Sequence, residues 1–171
     1  DYFPRLSAVN EDNKLIIKLV NEQAEIAILI LSPIMILLLS TIPLIIKILL
    51  TTDFNSIIGL VQFELLGVLF KAASWAIGFI FLAKGDKKIF FLTEMIFNII
   101  MLSSNIICYY YFGLIGIGYA FLLSYLIYFV TIYLVAKSKY NFRFDIPFIK
   151  IFSIQFFFVL LTLVLTFIVG F

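Results

Sequence analysis

Histidine is absent from this 171-residue chain, cysteine occurs once, and charged side chains are scarce at 13%. Each scarcity narrows what the protein can do. Without histidine, the commonest metal ligand and the commonest general base at neutral pH are both missing. That lowers the expectation of catalysis, although carboxylate or lysine chemistry stays open. The lone Cys108 lies deep in an apolar run and cannot form an intrachain disulfide. No glycine-rich phosphate loop, HExxH helix, nucleophile elbow or CxxC pair occurs. The net charge is only +2 and the basic residues are dispersed among connectors, so nothing suggests nucleic-acid binding. The expectation is a protein that is not an enzyme and holds no cofactor or metal.

What is abundant is apolar sequence. Hydrophobic residues make up 64% of the chain and mean hydropathy is +1.20, whereas soluble domains carry about 45–50% apolar residues. A water-soluble fold of this size has no interior large enough for them, so lipid must be the solvent. A spanning helix needs roughly 20 apolar residues to cross about 30 Å of hydrocarbon. Charge-free windows of that length run from Ile26 to Ile46, from Met95 to Ala136 and from Ile151 to Phe171. The middle window is long enough for two crossings. Gly113, Gly116 and Gly118 mark a tight hairpin within it, because glycine clusters signal turns. A further span, between Asn55 and Ala83, carries Glu64 and Lys71.

The predicted fold is therefore all-α: a bundle of five transmembrane helices at about 26–50, 56–83, 90–111, 115–136 and 148–171. Residues 1–25 precede it as a cytoplasmic connection. There Pro4-Arg5-Leu6-Ser7 reads as a break. Ile16, Leu19, Val20 and Ala24 then alternate at helical spacing with Lys14, Lys18, Asn21, Glu22 and Glu25, which reads as an interfacial amphipathic helix or a solvated one. Lysine and arginine occupy alternate connectors: segment 1–25, the 84–88 turn and segment 137–150 contain them, while 51–55 and 112–118 do not. The positive-inside rule puts the basic set in the cytoplasm, and Tyr109–Tyr111 and Tyr140 suit the interfacial aromatic belts. Lys47 is placed to snorkel from the non-cytoplasmic end of the first span.

Ionised residues within spans cost about 2.5–3.5 kcal/mol each on insertion scales and tend to face a cavity or a partner. Glu64, Lys71 and Glu94 are such residues. Glu64 and Lys71 lie two helical turns apart on one face, with Trp75 a turn further on. On the next span Glu94, Asn98 and Asn105 form a polar stripe. Two readings stay open: Glu64 or Glu94 pairs with Lys71 to join helices, or Lys71 lines a cavity and receives an anionic group such as a phosphate. Asn98 and Asn105 suit interhelical hydrogen bonds. Pro33 and Pro43 lie inside the first span and each removes a backbone hydrogen bond.

Several of these stretches carry a resemblance. They are Asp1-Tyr-Phe-Pro-Arg-Leu-Ser7, Asn21-Glu-Gln-Ala-Glu25, Leu66-Gly67-x-x-x-Lys71-x-x-Ser74-Trp75-x-x-Gly78-Phe-x-x-Leu82-Ala83-Lys84-Gly85, Phe91-Leu92-Thr93-Glu94 and Phe112-Gly113-x-x-Gly116-x-Gly118-x-Ala120. In this order and spacing the chain, over about its first 135 residues, resembles the polysaccharide (O-antigen) flippases of the MOP superfamily. From 140 onward it is ordinary membrane sequence.

The resemblance implies part of the C-terminal lobe of a two-lobe transporter in the bacterial inner membrane. Such a protein moves undecaprenyl-pyrophosphate-linked oligosaccharide from the cytoplasmic to the periplasmic leaflet by alternating access. The chain starts at Asp1 and stops within an apolar run, and so reads as a fragment whose targeting information and N-terminal lobe lie upstream. Its partners would be the lipid-linked oligosaccharide, membrane lipids and that lobe. Lys71 would be the chief substrate-binding cation and Trp75 a sugar-stacking platform. Glu64 or Glu94 would be its partner or a group coupling transport to H+ or Na+, with Asn98 beside them. The rival expectations are a MATE-type small-molecule antiporter and a membrane enzyme of polysaccharide assembly, a polymerase or acyltransferase.

Overall fold

The computed structural model describes residues 2–49 and 55–169. The non-basic 51–55 turn lies almost wholly outside the described residues, and so does the side chain of Lys47. Six helices follow in chain order: α1 (Tyr2–Ala8), α2 (Asn13–Leu49), α3 (Asn55–Ala83), α4 (Lys87–Phe112), α5 (Leu114–Tyr140) and α6 (Ile146–Val169). No strand occurs among the described residues. The last five helices are long and apolar enough to cross a membrane, the same number as the spans expected from the sequence.

Differences from the sequence reading appear before and at the start of the first span. Residues 2–8 form a helix, with Pro4 in its first turn, where a missing N–H costs nothing. The break comes afterwards, at Val9–Asp12, where the Asp12 carboxylate accepts from the N–H groups of Lys14 (2.9 Å) and Leu15 (3.1 Å) and caps α2. The charged stretch after it is continuous with the first span, because Asn13–Leu49 is one helix. Ile16, Val20, Ala24 and Ile28 are fully buried along it, while Lys14, Lys18 and Glu22 are exposed. The apolar stripe of 13–25 is thus packed against the protein. The helix also runs through Pro33 and Pro43.

α3 is the central helix. It packs most extensively on α5, also on α2, and touches α1, α4 and α6. Leu69, Ala73, Ile77, Ile80 and Phe81 are buried completely along its length. Small residues let α3 and α5 approach closely, as is usual where lipid supplies no hydrophobic drive between helices. A Cβ on Gly118 would meet the Leu60 carbonyl oxygen at 2.6 Å, and one on Gly67 would meet the Phe121 ring at 2.7 Å. Of the three glycines read as a hairpin, only Gly113 makes the turn. It alone stands between α4 and α5, with φ 63°, a region that glycine adopts without steric cost. Gly116 and Gly118 lie inside α5 and are buried at helix contacts, Gly116 against the Cys108 carbonyl.

α6 packs mainly along α2 and turns a row of aromatic rings toward α3 and α5. Phe148, Phe152 and Phe156 recur every four residues and share one face of α6, and Phe144, in the connector before it, continues the row. Phe148 stacks on Phe144 at 4.1 Å, and Phe152 and Phe156 both pack on Phe70 of α3. Phe152 also lies parallel to Phe129 of α5. The sequence reading saw only undistinguished membrane sequence here, because phenylalanine at helical spacing is equally compatible with lipid contact.

The basic connectors converge at one end of the bundle. Lys139 pairs with Asp86 at 2.9 Å, and the Tyr140 hydroxyl donates to the same carboxylate. Lys84 donates to the Asn10 carbonyl, and Asn13 donates to the Tyr140 carbonyl at 3.3 Å. Asn21, buried in α2, donates to the Arg143 carbonyl (3.1 Å) and accepts from the Asp145 N–H (3.1 Å). The Gly113 turn lies at the opposite end, with the start of α3 and the end of α6, where Gln62 donates to the Thr166 hydroxyl at 3.2 Å.

Candidate functional site

α3 and α5 place an in-span ammonium inside a ring of aromatic faces. Lys71 Nζ lies 5.2 Å from the centre of the Trp75 ring, 5.4 Å from that of Tyr125 and 5.8 Å from that of Phe121. Trp75 follows Lys71 by one turn of α3; Phe121 and Tyr125 lie one turn apart on α5. All three distances fall within the roughly 6 Å over which a ring quadrupole attracts a cation. Each face contributes about 0.5–1 kcal/mol or more when desolvated. Three together therefore approach the cost of about 2.5–3.5 kcal/mol for holding a charge at membrane depth.

No carboxylate lies within 4.0 Å of Lys71 among the described residues, whose ion pairs are Lys18–Glu22 and Lys139–Asp86. The pairing that seven-residue spacing allows between Glu64 and Lys71 is not formed. Two turns separate their backbones by about 10.5 Å, and ion pairs along a helix form at three or four residues. Glu64 is half-buried and stands apart from the cleft described next.

Glu94 approaches from α4. Its carboxylate accepts a hydrogen bond from the Tyr128 hydroxyl of α5. Together with Trp75, Gly78, Phe79, Phe90 and Tyr128 it lines a cleft of about 210 Å³. Phe97 bridges the two halves of the site, its ring 4.5 Å from Tyr128 and 4.9 Å from Tyr125. Trp75 is 54% exposed, so one indole borders both the caged ammonium and the open cleft. Lys71, Trp75 and Glu94 therefore belong to one continuous wall. Asn98 spends its amide on the Glu94 backbone carbonyl (2.8 Å) and is exposed beside Glu94 on the outer face of α4. The side-chain oxygen of Asn105 is buried and accepts no hydrogen bond among the described residues.

Phe121, Tyr125 and Tyr128 are the residues that sequence reasoning missed. Their i, i+4, i+7 spacing puts them on one face of α5. That was the available signal, and it does not by itself distinguish a site from plain packing. Chemically, the arrangement offers a cation for an anionic group, a flat indole, and a carboxylate paired with a phenol that can exchange hydrogen bonds with hydroxyls. No family model, no curated protein and no solved structure matches this chain.

Proposed function

We propose that this chain is part of a carrier that moves a lipid-linked, anionic glycan across a membrane, as its resemblance to the polysaccharide flippases implies. The observation that supports this most is Lys71: an ammonium within a spanning helix, held by three aromatic faces and with no carboxylate within 4.0 Å among the described residues. Charge held this way keeps its hydrogen-bond donors for a ligand, and a phosphate or pyrophosphate is the anion whose compact charge suits an ammonium. Trp75 offers a stacking surface for a sugar ring, and Glu94 with Tyr128 offers hydrogen bonds to its hydroxyls. In this reading the converged basic end faces the cytoplasm, the helices form part of a C-terminal lobe, and residues 13–25 carry the first span out through the interface.

The test is Lys71→Ala and Lys71→Arg in the full-length protein, with surface glycan and protein abundance measured together. Alanine should abolish glycan display at unchanged abundance, and arginine should retain part of it. Display unchanged by alanine rejects the role. An antiporter of small organic cations would instead lose transport on Glu94→Gln and tolerate Lys71→Ala.

A further inference from the structure

A second polar cleft lies at the basic end, away from Lys71 and independent of the proposed carrier role. It has a volume of about 380 Å³ and is lined by Leu134, Lys137, Ser138, Asn141 and Arg143, where α5 ends and the connector to α6 begins. Its frame is rigid. Asn141 closes α5 in the left-handed conformation, with φ 54°, and its N–H is bonded to the Ala136 and Lys137 carbonyls. The buried Asn21 of α2 holds the Arg143 carbonyl and the Asp145 N–H.

The two cations of this cleft are not consumed by the fold. Among the described residues no carboxylate lies within 4.0 Å of either, whereas neighbouring Lys139 is paired with Asp86. Asp145, the nearest acidic residue in sequence, is turned to cap α6 through the Phe148 N–H at 2.9 Å. Lys137 instead rests over the Tyr133 ring at 5.9 Å. The cleft opens onto an exposed apolar lane: Leu134, Val130, Ile127 and Leu123 follow Ser138 down α5 at three- and four-residue steps, all outward-facing. Such steps keep them on one face of the helix, running from the basic head toward the middle of the bilayer.

We infer that this cleft and lane bind one anionic phospholipid, its phosphodiester between Lys137 and Arg143 and an acyl chain along Leu134, Val130 and Ile127. Ser138 and Asn141 supply neutral donors to the phosphate or the headgroup hydroxyls. A free phosphate would use the cations alone; the adjoining lane is what favours a lipid.

Native mass spectrometry of the chain in dodecylmaltoside, titrated with dioleoylphosphatidylglycerol or dioleoylphosphatidylcholine, tests this. Phosphatidylglycerol should bind preferentially, and K137Q/R143Q should weaken it roughly thirtyfold, each single variant roughly fivefold. K87Q/K88Q, which removes two exposed lysines at the same end, should leave binding within about twofold, and helical ellipticity should confirm that all variants fold. If both pairs weaken binding alike, only diffuse charge is acting and the site is rejected. Equal binding of the two lipids, or ready displacement by millimolar inorganic phosphate, overturns the proposal as well.

Discussion

Gly67 offers a direct way to perturb the aromatic ring around Lys71 without touching any member of it. It precedes Lys71 by one turn of α3. A Cβ added there would lie 2.7 Å and 3.0 Å from Phe121 ring carbons and 3.2 Å from the Leu122 Cα. The ring can rotate away, but the backbone of α5 must also give by a few tenths of an ångström. Overpacking of this kind costs about 1–3 kcal/mol. The displaced ring is one wall of the cation's enclosure and lies 4.7 Å from another, Tyr125. Gly67→Ala should therefore lower stability by about 1–3 kcal/mol and, on the proposed carrier reading, weaken glycan display by the full-length protein. Gly78→Ala meets only the Ile132 side-chain tip at 3.3 Å and should cost less than about 1 kcal/mol. The assay is unfolding by SDS from dodecylmaltoside micelles, followed by helical ellipticity. A double-mutant cycle makes it decisive: in a Phe121→Ala background the clash is largely gone, so Gly67→Ala should cost markedly less. If the two costs simply add, the steric account of α3–α5 packing is wrong.

Asp86 supplies a pH prediction. The Tyr140 hydroxyl first, and then Lys139, hold its carboxyl below the ordinary value of 3.8. A group depressed on folding stabilises the protein above its unfolded pKa and loses that contribution as pH falls through the folded one. Unfolding midpoints should thus drop below about pH 4, and Asp86→Asn should flatten that drop; an unchanged slope would show that Asp86 is not responsible. The connector arrangement predicts sidedness. In a Cys108→Ala background, Ser138→Cys and Leu114→Cys should react with an impermeant maleimide from opposite faces of a sealed membrane, and labelling of both from one face would refute the alternation.

Much of the fold was legible because lipid imposes strong rules. Every backbone group in hydrocarbon must be satisfied internally, so apolar length gave four of the long helices, and the Asn55–Ala83 helix was legible despite Glu64 and Lys71. The alternation of lysine-bearing connectors matches their convergence at one end through Asp86, Lys139, Asn13 and Asn21. Glycine was less transparent. A residue without a side chain serves equally a turn, as Gly113 does, and a close helix contact, as Gly116 and Gly118 do; only the partner helix distinguishes them. The candidate site was half legible. Lys71, Trp75 and Glu94 stood out because ionised or amphipathic groups at membrane depth need a reason. Phe121, Tyr125 and Tyr128 did not, because in a chain with 21 phenylalanines and nine tyrosines an aromatic face carries little information. Glu64 had the opposite fate: it was conspicuous by charge, yet it stands outside the cleft.

The unbroken course of α2 carries a mechanical consequence. Thirty-seven helical residues extend about 55 Å, well beyond the roughly 30 Å of hydrocarbon, so the charged stretch 13–25 projects beyond the apolar span. Its projecting part is fastened by Asn21 to the strap between α5 and α6. Movement of that part is delivered as a tug on Arg143 and Asp145, at the edge of the basic cleft.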